Sequence, residues 1–142
     1  MTLLARLKHD LDGSATIEFG MLGPIVITLM LGVLQMGVAM WSYNSLRSVA
    51  SETARYAVTN YQAANKISAS SISSQATLIA THSPYGLTAA NLNITVATAT
   101  TQRVSGATEL TLTMSYTVPT MASLVGLGSI PLTYTRPIFL LP

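Results

Sequence analysis

The stretch that decides the fold is DGSATIEFGMLGPIVITLMLG, Asp12 to Gly32. It opens a run without charged residues that extends from Phe19 to Tyr43. As a helix, the part from Phe19 to Trp41 would be about 35 Å long, enough to cross a hydrocarbon core of about 30 Å. Trp41 and Tyr43 stand at its far end, where interfacial aromatic side chains are expected. The stretch therefore predicts one transmembrane helix.

The composition agrees with a small membrane-anchored protein. The chain has 142 residues, 8% of them charged, a net charge of +2 and a mean hydropathy of +0.47. This is too apolar for an ordinary soluble domain, and the length suits one domain. Cysteine is absent, which excludes disulfides and thiolate metal sites. The seven basic residues are scattered along the sequence and form no cluster typical of nucleic-acid binding.

The apolar run continues into an amphipathic helix, whereas a signal peptide would have a shorter apolar core and a cleavage site. Positions at helical spacing after the run share one mostly apolar face: Leu46, Val49, Ala50, Thr53, Ala54, Ala57 and Val58. We therefore predict an unbroken helix from about Ser14 to about Asn60. A cleavable signal peptide with an atypical core is the alternative.

A glycine and an acid precede the apolar run and suggest a processing site. Gly13, followed by small residues, offers a protease an extended and accessible backbone. Cleavage after Gly13 would leave a new amine on Ser14, with Glu18 one helical turn away on the same face. A carboxylate in apolar surroundings costs about 2.5–3.5 kcal/mol, and an amine from a neighbouring helix would offset that cost. Alternatively, Glu18 only marks the start of the helix at the membrane surface.

These residues resemble the processing site and stem of the TadE-like proteins, which are pseudopilins of the tight-adherence (Flp-type) pilus system. The family's pattern is matched in order and spacing by Gly13, Glu18, Phe19 and Pro24. A later segment resembles the family's Ala-Arg-Tyr-Ala motif and comprises Ala54, Arg55, Tyr56 and Ala57. The specific resemblance covers about residues 12–58.

The resemblance implies a type IV-like prepilin that a membrane prepilin peptidase cuts between Gly13 and Ser14. It implies a single-pass protein of the bacterial inner membrane, with its N-terminus in the cytoplasm and its C-terminal domain exported. The implied partners are the peptidase, other pilin or pseudopilin subunits, the inner-membrane assembly machinery and the lipid membrane. One departure is that Asp10 and Asp12 make the leader neutral, where many prepilin leaders are basic.

Pro24 lies early in the membrane stem, beside Gly20 and Gly23. Proline removes a backbone donor and clashes with the preceding turn, so we expect a kink or local melting at this point. Such a kink would let the stem bend when it enters a filament. A proline tolerated without functional consequence is the alternative.

The second half predicts a small antiparallel sheet. After a Ser-rich and Ala-rich segment, Tyr61 to Thr81, that reads as a weak helix or a connector, His82 to Gly86 has turn chemistry. Three segments then alternate between apolar and polar residues, centred on Leu92–Val96, Leu110–Val118 and Leu132–Tyr134. The apolar face of these strands needs a cover, and the extramembrane part of the stem helix is the obvious candidate.

The predicted organisation is an α+β, pilin-like subunit. It comprises a leader at residues 1–13, a transmembrane stem at 14–43, a helical segment at 44–82 and a β domain at 83–142. We expect no enzyme, because no catalytic, cofactor-binding or metal-ligating constellation is present, and neither a small-molecule substrate nor nucleic acid as a partner. The leading function is a TadE-like minor pilin or pseudopilin in pilus assembly and cell adhesion. The alternatives are a single-pass membrane-anchored binding module and a pseudopilin of a related secretion machine.

Overall fold

The computed structural model describes residues 12–63, 65, 67–120 and 128–141. Helix α1, Asp12–Gln62, is 51 residues long and is followed by helix α2, Ala69–Thr81. A 3-10 turn, Ala89–Asn91, leads into strands β1, Leu92–Thr98, β2, Thr108–Val118, and β3, Ile130–Leu140. The strands form one antiparallel sheet in the order β1-β2-β3. The predicted α+β class, with a long N-terminal helix and a small sheet, is confirmed.

Helix α1 packs one face against the sheet over its second half. The buried positions recur at helical spacing and are Gln35, Ala39, Ser42, Ser45, Leu46, Val49, Ala50, Thr53, Ala54 and Ala57. They include six of the seven positions predicted for this face, and Val58 is half-buried. Most of them are small, so the backbone of α1 can approach the sheet closely.

Strand β2 forms the centre of the sheet because both its neighbours pair along it. Its side chains alternate between the two faces from Leu110 onward, and the inward ones are all buried: Leu110, Leu112, Met114, Tyr116 and Val118. The opposite face carries Thr and Ser, as the sequence predicts for a polar face of good strand formers. The strand ends at Val118, directly before Pro119.

Strand β3 continues beyond the short alternation predicted around Leu132 and Tyr134. It runs through Pro137 to Leu140, and Ile138 and Leu140 are buried. Proline is compatible with this position because β3 is an edge strand whose outer side has no ladder partner in the sheet. The apolar segment at Ile138 and Leu140 is therefore packed on the protein's own core.

Helix α2 lies against α1 and β1 and closes the core on that side. Ser68 caps its first turn, since its hydroxyl accepts a hydrogen bond from Ser71 N at 3.2 Å. The buried face consists of Ile72, Ala76 and Ala80. The segment that the sequence left open between a helix and a connector is thus a helix in its second part.

The two turns predicted from glycine have the backbone that glycine favours. Gly86, after the helix, has φ +58°, and Gly106, between β1 and β2, has φ +81°. The apolar, Gly-rich segment MASLVGLGS, residues 121–129, reads from its sequence as a loop or a short helix, but residues 121–127 lie outside the described residues.

Candidate functional site: the stem and its junction with the domain

In the part of α1 that precedes its contact with the domain, the apolar side chains are exposed on all sides of the helix. Most residues between Thr16 and Leu34 are exposed, and Phe19 reaches 78%. This segment is about 28 Å long as a helix, close to the roughly 30 Å of a hydrocarbon core. Within the described part of the chain, one helix is long and apolar enough to cross a membrane. The protein therefore has one candidate membrane span, at its N-terminal end.

Glu18 and Phe19 lie near the start of this exposed segment. Both side chains are exposed on the outer surface of α1. No other residue between Thr16 and Asn44 carries a formal charge. The carboxylate is thus the one charged feature of the stem surface.

Gly13 and Ser14 lie in the first turn of α1, because the helix already begins at Asp12. The extended backbone expected at Gly13 is therefore not what the structure shows. The first turn of a helix contributes amide groups without intrahelical acceptors, and it unwinds more easily than the helix interior. A peptidase that requires an extended Gly13–Ser14 bond would have to unwind this one turn.

The backbone of α1 remains helical through Pro24. The proline ring leaves the carbonyl one turn earlier without its usual donor. Thr28 Oγ1 donates to Pro24 O at 2.7 Å, a side-chain hydrogen bond one turn later. The predicted melting is absent from this structure, and bending of the stem during assembly stays a prediction.

Gln35 marks the point where the stem meets the domain. Its side chain is only 3% exposed, and Nε2 donates to Pro119 O at 3.2 Å, just beyond the end of β2. The sheet thus begins to cover α1 at Gln35, eight residues before Tyr43, the predicted end of the transmembrane stem. A single amide side chain inside an apolar run is a sequence signal for such a contact. Its partner, Pro119, cannot be identified from the sequence because it lies far along the chain.

An ion pair between exposed Arg103 and buried Glu109 closes the hairpin between β1 and β2. The Glu109 carboxylate is 3% exposed and accepts from Arg103 N at 3.1 Å and Nε at 2.9 Å, and it also pairs with Nη2. The guanidinium also lies 5.3 Å from the centre of the Phe139 ring. The hydrogen bonds from Arg103 hold the pKa of the Glu109 carboxyl below its ordinary value, although burial opposes this shift. This pair fastens the hairpin to the end of β3.

Across the residues that the structure describes, no three His, Asp or Glu side chains come close enough to hold an ion.

The stem is similar in sequence to a known protein family. A family model described as TadE-like protein matches residues 13–55. The match begins at Gly13 and extends to Arg55, in the part of α1 that packs on the sheet. No curated protein and no solved structure gives a significant match. The resemblance predicted from the motif residues is therefore confirmed for the segment that carries them.

Proposed function

We propose that this protein, whose residues 13–55 are TadE-like, is a minor pilin or pseudopilin associated with a tight-adherence pilus. In this proposal a prepilin peptidase cuts between Gly13 and Ser14. The mature subunit stays anchored in the bacterial inner membrane or enters the pilus. Its N-terminus faces the cytoplasm before cleavage, and its β domain lies on the outer side.

The observation that carries the proposal is the exposed apolar stem with a single acid, Glu18, near its N-terminal end. A helix that exposes apolar side chains on all sides needs lipid or other helices around it. Glu18 lies on that surface, where the cost of a carboxylate in lipid favours a cationic partner. After cleavage, the amine of Ser14 on a neighbouring subunit would be such a partner.

The rigid junction at Gln35 suits a subunit whose stem and domain move together. The domain is held on α1 by buried side chains from Gln35 to Ala57 and by the hydrogen bond to Pro119 O. A force on the stem is therefore transmitted to the domain without a flexible linker. This supports an assembly role and gives no indication of catalysis, so we propose a non-enzymatic function.

Two other functions fit the same architecture. A single-pass binding module would keep its leader and would use only the domain. A pseudopilin of a secretion machine would be cleaved in the same way but would act in secretion instead of adhesion. The first alternative is distinguished by the state of the N-terminus, and the second by the loss of secretion, not pili, in a deletion strain.

The assembly role is tested by replacing Glu18 with Ala in the producing bacterium and counting pili per cell by electron microscopy. If an interhelical ion pair offsets about 2.5–3.5 kcal/mol, its loss weakens subunit association by about two orders of magnitude, and pili should be nearly absent. Met21→Ala is the matched control, because it truncates an exposed side chain of the same stem without removing a charge. Immunoblots of the membrane fraction verify that both variants are present. Normal piliation with Glu18→Ala would contradict the proposed role of this carboxylate.

A further inference from the structure

Three arginines that are far apart in the sequence converge on one side of the domain. Arg47, Arg55 and Arg136 line an open cleft of about 750 Å³ between α1 and β3, here called the arginine cleft. Its other lining residues are Asn44, Ser48, Ser51, Glu52 and Tyr134. The basic residues are scattered along the sequence, but folding brings these three together. This cleft is separate from the stem and from Glu18.

The three arginines meet α1 at regular intervals. Arg47, Ser51 and Arg55 are spaced at i, i+4 and i+8, so they form one stripe about 12 Å long on α1. Arg136 reaches this stripe from β3, and its Nη1 donates to Ser51 Oγ at 2.7 Å. Arg136 therefore meets the stripe at Ser51, midway between Arg47 and Arg55, and neighbouring positions are about 6 Å apart along the axis of α1.

The positive charge in the cleft is poorly compensated. Within the described part of the chain, none of these three arginines has a carboxylate oxygen within 4 Å, whereas Arg103 pairs with Glu109 at the far hairpin. Glu52 is the acid of the cleft, and its Oε2 accepts a hydrogen bond of 3.4 Å from Tyr85. Ser48 and Asn44 add further polar groups to the wall. The cleft is therefore suited to an anion.

We infer that the arginine cleft binds an acidic segment of a different protein, with carboxylates spaced about 6–7 Å apart. In an extended chain, every second side chain points to the same side at this interval, so alternating acids would match the row. Arginine is well suited to this contact, because its planar guanidinium forms paired hydrogen bonds with a carboxylate.

A second copy of this chain lying side by side and in register does not bring an acidic segment to this cleft. The chain has five acids, of which Glu109 is buried in its pair with Arg103, and Glu52 belongs to the cleft itself. The other three lie between Asp10 and Glu18, and Glu18 is about 43 Å along α1 from Arg47. A copy lying side by side would bring its own arginines to the same level.

Lipid headgroups and nucleic acid fit the row less well. A helix that crosses the membrane carries the row along the membrane normal, whereas headgroups lie in a plane and would meet only one end of it. Single-stranded nucleic acid uses aromatic rings as stacking platforms. The ring that lines the cleft is Tyr134, which is half-buried and already makes an edge-to-face contact with Tyr43, with ring centres 6.0 Å apart.

The test measures binding of a labelled heptapeptide of alternating serine and glutamate to the full chain in neutral-lipid nanodiscs. Fluorescence anisotropy gives Kd for wild type, for Arg47→Ala/Arg55→Ala and for Glu52→Gln. The double alanine variant should weaken binding about 2- to 30-fold, as expected for two exposed ion pairs, and Glu52→Gln should strengthen it. Thr77→Glu/Asn93→Asp is the control, because it lowers the net charge equally at exposed positions on α2 and β1. This control should bind like wild type.

Three results would overturn the inference. The first is equal weakening by the control and by the double alanine variant, which would indicate only a net-charge effect. The second is equal affinity for a peptide of the same composition with its glutamates adjacent, which would remove the spacing argument. The third is tighter binding of oligothymidylate, or of nanodiscs containing phosphatidylglycerol, with the same dependence on Arg47 and Arg55. The assay is independent of cleavage after Gly13, so it can fail while the proposed pilin function stands.

Discussion

Thr53 offers a direct test of how α1 is packed in the core. Its side chain is fully buried, and its hydroxyl has no hydrogen-bond partner in the described part of the protein. A buried hydroxyl without a partner costs about 1–3 kcal/mol relative to its hydrated state. Thr53→Val replaces this hydroxyl by a methyl group of similar size, and both residues are β-branched with similar helix propensity.

We therefore predict that Thr53→Val stabilises the domain by about 1 kcal/mol, the low end of that range, because the extra methyl group needs some repacking. For a domain of this size, Tm should rise by about 4–8 °C. Thr53→Ser provides the opposite perturbation, since it keeps the hydroxyl and removes a buried methyl group, and it should destabilise by about 1 kcal/mol.

The assay is thermal unfolding of the full chain in detergent, followed by near-ultraviolet circular dichroism of the tyrosines. Most of the tyrosines lie in the domain, so this signal reports on domain packing and not on the helicity of the stem. A Thr53→Val variant that melts below wild type, with Thr53→Ser near wild type, would show that the hydroxyl is satisfied. That result would refute the packing derived from this structure.

Three further predictions concern the sheet. Arg103 lowers the pKa of Glu109 in the folded protein. The stabilisation from this pair is therefore complete above the ordinary glutamate pKa of 4.5, and it is lost as the pH falls through the lower pKa of the folded state. A series of Tm measurements at decreasing pH should show this loss in wild type and much less of it in Arg103→Gln. Gly106→Ala should destabilise by about 1–2 kcal/mol because φ is +81°, whereas Gly128→Ala, equally open but without a positive φ, should be close to neutral in the same melting assay. Leu112→Ala removes a fully buried side chain from the central strand and should cost about 2–5 kcal/mol by denaturant unfolding.

Much of the fold follows from local periodicity. The buried face of α1 around Leu46 and Val49 repeats at helical spacing, and the core side chains of β2 alternate along the strand. Both patterns are set by neighbours in the sequence, so the sequence alone predicts them. The extension of β3 to Leu140 is hidden because Pro137 breaks the local strand signal, and only its place at the sheet edge makes the proline acceptable.

The remaining features depend on contacts between distant segments. The buried position of Gln35 requires the end of β2 beside it, where Pro119 O accepts its amide hydrogen. The arginine cleft requires β3 to lie along α1, since Arg136 meets Arg47 and Arg55 only in the folded chain. Periodicity carries no information on such pairings, because each residue is an ordinary polar position in its own element. The stem motif at Gly13 and Glu18 is the reverse case, readable from sequence because its spacing is local.

The most direct test of the proposed function is the N-terminal mass of the protein purified from its native membrane, measured beside Gly13→Ala from the same strain. A conservative change at the cleavage glycine leaves the apolar stem and the domain unaltered, so both forms should reach the membrane. We predict a wild-type chain that begins at Ser14 and a variant that keeps its leader. A wild-type chain that still begins at Met1, in cells that process other prepilins, would contradict the pilin function and leave a membrane-anchored binding module.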